Sequence, residues 1–255
     1  IILYCIERNR TVLYQPKNSE ILQFNANFLQ IDDSPVLDVR ELGLGQSNEI
    51  FKRLTDVFLG ILGLIVLSIP FIFVYLALKI GGGSAFYAQE RITRDNKIFK
   101  IYKFRTMIEN AEAVSGPVLA QDVDCRITKL GHFLRATRLD EIPQIYNILI
   151  GDMSIVGPRP ERPFFVEQFC TEMPEYNLRH RVKAGLTGLA QVQGKYNTSV
   201  RDKLKYDLLY INGYSYALDI KLIMQTLNIL LRKSSTEGVK SVSEIEKEVE
   251  DLTRR

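Results

Sequence analysis

Histidine is scarce in this sequence, and the chemistry it usually carries is scarce with it. Among 255 residues there are only His132 and His180. His132 has no second His, Cys or carboxylate at ligand spacing and reads as a surface residue. His180 lies between Arg179 and Arg181 and reads as part of a basic, solvated stretch, with phosphate contact as its functional option. Cysteine is equally sparse: Cys5, Cys125 and Cys170 have neither zinc-ligand spacing nor a disulfide framework, which fits a reducing, cytosol-facing location. Neither a Walker A sequence nor a dinucleotide G-x-G-x-x-G occurs, so an ATPase or a nicotinamide enzyme is disfavoured. A net charge of +3 gives no general argument for nucleic acid. No signal-peptide pattern opens the chain, and residue 1 is Ile, so residues 1–46 read as the tail of something longer or trimmed. At this length the chain holds one good-sized domain with additions.

Charge is absent altogether from residues 57–78, a run long enough as a helix to cross about 30 Å of hydrocarbon. Two features argue against simple crossing. Ser68 and Pro70 sit mid-run, where proline removes a helical hydrogen bond. Basic residues flank both ends, Lys52 and Arg53 before and Lys79 after, whereas a spanning helix tends to keep positive charge on one side. A helix that dips in, bends at Ser68–Pro70 and returns satisfies both. A straight span is the alternative, since membrane helices tolerate proline.

Before this run, residues 28–39 read as one or two strands around an Asp-Ser-Pro turn, with a hinge at 44–48. After it, residues 86–92 and 98–104 read as a hairpin around Arg94-Asp-Asn-Lys97. Arg91, Arg94, Lys97, Lys100, Lys103 and Arg105 make the hairpin basic. The plain reading is a solvated face; the functional one is a patch for anionic headgroups, with one or two residues reaching substrate phosphates. Residues 106–125 read as a short helix and a polar loop broken at Ser115-Gly-Pro117, a candidate lid. Helices are expected over 126–135 and 164–169, and two more over 200–233 with a break near Asn212-Gly213. The last is apolar over much of its circumference and suits either core packing or an in-plane interfacial position. Gly185-Leu-Thr-Gly188 reads as a small-residue loop whose backbone could approach a nucleotide. Residues 243–253 form a polar helix with Ser243 and Glu246 as a capping box.

The densest chemistry is at Asp140-Glu141. Asp140 is a good N-cap, Pro143 falls in the first turn and Gly151 is the stop. Ile142, Ile145, Tyr146 and Leu149 recur at helical spacing, which predicts one buried face. The helix mouth would then keep both carboxylates ionised and favour a phosphate or a metal ion. Arg135 and Arg138 lie just upstream, and Arg159 is held between Pro158 and Pro160, which stiffen its segment. Carboxylates beside fixed arginines suit a phosphoryl substrate bridged by a divalent cation.

Leu134-Arg135-x-x-x-Leu139-Asp-Glu-Ile-Pro-Gln144 and Asn147-x-x-x-Gly-Asp-Met-Ser-x-Val-Gly-Pro-Arg-Pro160 resemble the bacterial sugar transferases, the monotopic polyprenyl-phosphate phosphoglycosyl transferases. Gln89-Glu-Arg-Ile92, Phe99-Lys-Ile-Tyr-Lys-Phe-Arg-Thr-Met107 and Lys183-x-Gly-Leu-Thr-Gly-Leu-Ala-Gln191 agree in order and spacing. The resemblance implies that Asp140 attacks the sugar-bearing phosphorus of a UDP-sugar, that UMP leaves, and that polyprenyl phosphate takes the phosphosugar from the aspartate. It implies Mg²⁺ held by Asp140 and Glu141, a steadying Arg135, and substrate contacts from Arg159, Lys103, Arg105, Arg138, Pro158, Pro160 and Gln191. It also implies a re-entrant anchor broken near Ser68 and Pro70, and a place on the cytoplasmic face of a bacterial inner membrane. Ile69 stands between Ser68 and Pro70 where the family usually has a Ser-Pro pair, and Ala184 replaces a usual Pro.

The expected fold is therefore α+β, mostly helical, with a small β-hairpin and a re-entrant membrane-anchoring helix. Its expected parts are a partial linker region (1–48), the membrane helix (49–80), a cytosol-facing catalytic domain (81–233) and a polar C-terminal helix (234–255). Partners would be a UDP-sugar, polyprenyl phosphate and membrane lipid, with no nucleic acid; a homo-oligomer stays open, as does the sugar. A membrane glycosyltransferase that releases UDP, and a non-catalytic scaffold, are the competing readings.

Overall fold

The computed structural model describes residues 8, 14–24, 26–31, 34–39, 42–108, 126–195 and 198–231. The expected lid at Ser115-Gly-Pro117, the Asp32–Asp33 part of the first turn, Cys5, Cys125 and the polar C-terminal helix lie outside the described residues. Among the described residues the architecture is mostly helical with three two-stranded sheets.

One helix, α2 (Gln46–Ile80), is the longest element among the described residues. At 1.5 Å per residue it is about 52 Å long, and it is long and apolar enough to cross a membrane. The chain stays helical through Ser68 and Pro70, so the expected break is not an interruption of the helix; Ser68 Oγ donates to Ile65 O at 2.7 Å. Proline removes one N–H, and a helix held elsewhere by packing absorbs that loss. The packing follows one stripe. Near the start, Lys52 and Asp56 are buried, and Arg53 donates to Ile148 O and Leu149 O at 2.6 Å each. In the middle Gly60 permits contact, since a Cβ there would stand 2.8 Å from the Leu149 side chain. Further on Leu67, Phe71, Val74, Tyr75 and Leu78 join the apolar core. The opposite face is apolar and exposed, with Phe58, Ile65, Val66, Ile69, Ile72 and Phe73 bare.

Next comes the hairpin β3 (Phe86–Ile92) and β4 (Ile98–Phe104), in the register Phe86↔Phe104 to Ile92↔Ile98. Asp95 and Asn96 take the positive φ angles that its turn requires. Phe104 stacks on Phe86 and against Phe71, which fixes the hairpin to α2. The basic residues are not a free patch: Arg94 pairs with Glu49, Lys97 with Asp152, Lys103 with Glu141, and Arg91 binds Pro160 O. Alternation put these cations on the hairpin, but their partners come from distant elements.

α3 (Lys129–Ala136) is capped by Thr128, whose hydroxyl accepts from Gly131 N. His132 is exposed, as expected. α4 (Gln144–Ile150) ends on Gly151 at φ 95°. The strands β5 (Met153–Val156) and β6 (Ala184–Thr187) pair in parallel. Gly185 is thus in a strand rather than a nucleotide-facing loop; a Cβ there would lie 2.1 Å from Gly157 N. Between them lie α5 (Pro163–Glu172) and a 3₁₀ segment (Pro174–Arg181). A short α6 (Leu189–Gln193) precedes α7 (Val200–Asn212) and α8 (Tyr216–Leu231), which meet at Gly213 as expected. α8 serves core and surface at once: Leu222 is fully buried while Ile220, Met224, Leu227 and Leu230 are exposed.

The early residues form α1 (Asn18–Gln23) and the antiparallel pair β1 (Asn27–Ile31) and β2 (Ser34–Asp38). Ile21 is fully buried against Leu204 and Leu208, and Asn212 donates to Ile21 O at 2.6 Å.

Candidate active site

Asp140 and Glu141 belong to a 3₁₀ turn (Leu139–Glu141), not to the mouth of the following helix as the capping pattern predicted. Arg138 precedes them in the left-handed region at φ 58°, and Pro143 occupies the N-cap of α4. A non-glycine residue there costs about 1 kcal/mol, and the turn that it starts is closed by Glu141 N donating to Arg138 O and Ile142 N to Leu139 O. The buried face also differs from the expected one. Ile142 and Ile145 are buried, but Tyr146 is 56% exposed, and Gln144, Asn147 and Ile148 take the interior. Asn147 explains the shift. Its Nδ2 donates to Lys100 O at 2.8 Å and its Oδ1 accepts from Tyr102 N at 3.1 Å. The side chain thus satisfies the open edge of β4 as a further strand would, and fastens α4 to the hairpin.

This docking brings Lys103 to Glu141. Glu141 Oε1 accepts from Lys103 Nζ at 2.7 Å and from Arg159 Nη2 at 2.9 Å. Burial by itself would raise the Glu141 pKa, but Arg159 and Lys103 outweigh it and hold the carboxyl far below the usual range. Asp140 goes the other way. Burial and the neighbouring Glu141 charge push it up, against the pull of Lys103, Arg135 and Arg138. The expectation that both carboxylates share one electrostatic setting therefore fails: Glu141 is fixed as an anion, while Asp140 is held at higher energy. Asp140 Oδ1 is buried and accepts no hydrogen bond.

Arg159 is presented by a clamped segment. Pro158 O accepts from Gly185 N at 2.9 Å, Arg159 O from Arg179 Nη2 at 2.8 Å, and Pro160 O from Arg91 Nη1 at 3.2 Å. Pro158 and Pro160 are themselves buried, so they stiffen the segment from inside. Arg179 is fixed by Asp207 at 2.9 Å and by the Tyr176 hydroxyl. Sequence reasoning missed Arg179 and Arg91 as supports, and took the Arg179-His180 stretch as solvated. Both residues of that stretch are buried, because Asp207 on α7 neutralises Arg179. His180 is held neutral, its pKa lowered by burial and by Arg179 to about 4.

The other expected site residues divide. Arg135 Nε donates to Thr106 Oγ1 at 2.9 Å and its charge is felt at Asp140. Arg138 is exposed and acts on both carboxylates electrostatically. Arg105 donates to Gly82 O, at the end of α2. Gln191 donates to Leu186 O at 2.9 Å and makes no hydrogen bond to the carboxylates. The site thus gathers Lys103, Arg135, Arg138 and Arg159 around Asp140 and Glu141, an excess of positive charge suited to a diphosphate.

Among the described residues no group of three His, Cys, Asp or Glu side chains could hold a metal ion. Magnesium does not need such a group, since it is commonly bound by one or two carboxylates together with substrate phosphates and water. The unpaired Asp140 Oδ1 fits that pattern, as does the gathering of both Glu141 cations on Oε1.

Comparison with known proteins places the chain in a family. Residues 47–233 match the family described as bacterial sugar transferase. The UDP-glucose:undecaprenyl-phosphate glucose-1-phosphate transferase of Klebsiella pneumoniae is 40% identical over 228 residues, 85% of this chain and 48% of that protein. The UDP-N-acetylgalactosamine-undecaprenyl-phosphate N-acetylgalactosaminephosphotransferase of Aeromonas hydrophila is 42% identical over 152 residues, 58% of this chain and 36% of its own length. The undecaprenyl-phosphate galactose phosphotransferase of Salmonella typhimurium is 31% identical over 240 residues, 89% of this chain and 50% of its own. The chain spans about half the length of these relatives or less. With the family match covering well over half of its residues, the chain belongs to the bacterial sugar transferase family.

Proposed function

We propose that this chain transfers a phosphosugar from a UDP-sugar to a polyprenyl phosphate such as undecaprenyl phosphate, releasing UMP. The single observation that carries the reading is the contrast within the carboxylate pair: Glu141 is bound by two cations, while Asp140 Oδ1 is buried and unpartnered. Asp140, raised by burial, is the better nucleophile of the two. Its oxygen forms a bond to the sugar-bearing phosphorus as the bond from that phosphorus to the UMP oxygen breaks. The phosphate of the lipid then attacks the same phosphorus and returns Asp140 to a carboxylate. Arg159, held by its clamped backbone, and Lys103 offset charge that builds on the phosphoryl oxygens, while Arg135 and Arg138 favour the ionised form of Asp140 against its burial. Mg²⁺ would be held by Asp140 and Glu141 with the diphosphate, and would supply charge neutralisation.

The membrane side of the reading rests on α2. Its packed stripe meets the same body at Lys52 and at Leu78, and its other face is bare and apolar. A helix with both ends on one body favours entry and return on one face of the bilayer, the cytoplasmic one of a bacterial inner membrane, over a straight span. Cysteines placed at Glu49 and Gly82 would then be labelled by an impermeant thiol reagent from the same side of inverted vesicles; opposite-side labelling would overturn this.

The activity is tested by mixing detergent-solubilised protein, Mg²⁺, undecaprenyl phosphate and a panel of UDP-sugars, and identifying the nucleotide released. UMP, together with a phosphosugar trapped on Asp140, supports the proposal and names the sugar. UDP would assign transfer of the bare sugar instead, and no nucleotide from any donor would favour a scaffold.

A further inference from the structure

We propose that Gln144 is a substrate-binding residue whose side-chain amide donates to a non-bridging phosphoryl oxygen of the ligand held beside Asp140. This rests on the reading of Asp140 and its arginines as a phosphoryl site. Gln144 is 2% exposed, and its Nε2 is buried with no hydrogen-bond partner. An unpaired buried donor carries a desolvation penalty that a structural role would not explain. Asn147, the other buried amide on α4, is the internal contrast: both of its polar atoms are used on the β4 backbone.

Position gives the orphan donor its meaning. From Leu139 through Ile142 and Pro143 the backbone turns continuously into α4, with Ile145 N donating to Ile142 O and Tyr146 N to Pro143 O. Gln144 therefore follows Asp140 and Glu141 by one turn and shares their side. One turn thus carries two unmatched buried atoms, the acceptor Asp140 Oδ1 and the donor Gln144 Nε2, which are not bonded to each other. A ligand satisfies both if it has an electrophilic or cation-bridged centre for the carboxylate and an adjacent anionic oxygen for the amide. A phosphoryl group has both, and the surrounding Lys103, Arg135, Arg138 and Arg159 select for its charge. As a neutral donor Gln144 adds a directed hydrogen bond without adding charge to Asp140, so it leaves the nucleophile's ionisation alone.

The test compares the full chain with Gln144→Met, of similar shape but without the donor. The readouts are nucleotide release, the melting temperature, and the melting shift produced by UDP. Removing an unpartnered buried amide should leave the melting temperature unchanged or higher. It should lower kcat/KM for UMP release about ten- to a hundredfold and shrink the UDP-induced shift. Turnover and UDP shift within twofold of wild type would overturn the inference, and so would a lower melting temperature without UDP, which would show a protein partner for the amide. If wild type releases no UMP, the phosphosugar reading fails by itself. The UDP arm still decides Gln144, and a wild type whose melting UDP leaves unmoved overturns both.

Discussion

Two of the regions that bury charge in this molecule do so in opposite ways. Under the start of α2, Lys52 Nζ binds Asp219 at 2.6 Å and the Tyr210 hydroxyl at 3.0 Å, and Tyr210 donates to the other Asp219 oxygen at 2.9 Å. Nearby, Asp56 accepts from Ser154 Oγ and Ile155 N. Around Asp140, cations outnumber carboxylates, and Asp140 Oδ1 and Gln144 Nε2 have no partner. The first network pairs its charged groups internally and ties α2 to β5 and α8. The second is complete only with something added. Buried charge alone therefore does not mark the proposed site; there it is joined by an unmatched carboxylate oxygen with an unmatched amide one turn away.

The largest effect expected is on chemistry. Asp140→Asn should reduce UMP release by about a thousandfold or more. Because burial and Glu141 raise the Asp140 pKa, its ionised form destabilises the fold above that pKa, and the penalty eases as pH falls. The neutral amide should therefore melt no lower than wild type at pH 7.5. A large loss of melting temperature with the loss of activity would put Asp140 in the self-contained class instead.

The Lys52 network should behave in reverse. Lys52→Met leaves Asp219 buried without its cation and should cost about 3–5 kcal/mol, read by denaturation in detergent. Adding Asp219→Asn should recover much of that loss, because the stranded charge is removed with its partner. Failure to recover would mean that the pair does more than close on itself.

His180 gives a smaller, pH-dependent effect. Its folded pKa lies below the unfolded one, so the unfolded chain takes up a proton first as pH falls. Stability should be full above about pH 6.5 and decline toward pH 4 by up to about 3 kcal/mol. His180→Asn should flatten that part of the melting-temperature profile. Glu141 is shifted in the same direction, below its unfolded pKa, and contributes stability that is lost only in stronger acid, so Glu141→Gln should alter the profile below about pH 4.5. Smallest is Ser68→Ala, expected within about 0.5 kcal/mol, because its hydroxyl only answers a carbonyl within its own helix.

Legibility in the sequence followed the range of the interaction. The hairpin ends, the Gly151 stop and the α7–α8 break were read correctly because alternation, glycine and capping act over a few residues. The Asp140-Glu141 pair and Arg159 were found because their motif is contiguous. Asn147 was passed over because its two partners are backbone atoms of β4, which no side-chain pattern announces. Arg179 was mistaken for a solvated cation because Asp207, its counterion, comes from another helix.

The sequence by itself determined the β3–β4 hairpin and the longer helices, that residues 57–78 form an uncharged apolar run, and which ionisable groups the family's motif carries. Local sterics and hydrophobic period settle those things before the chain meets itself. Only the tertiary structure decided that Glu141 is sealed by Lys103 and Arg159 while Asp140 is left high in energy with an open oxygen. Two adjacent carboxylates of the same chemistry part company there, because burial and counterions depend on what folds against each, and the sequence around them does not contain that distance.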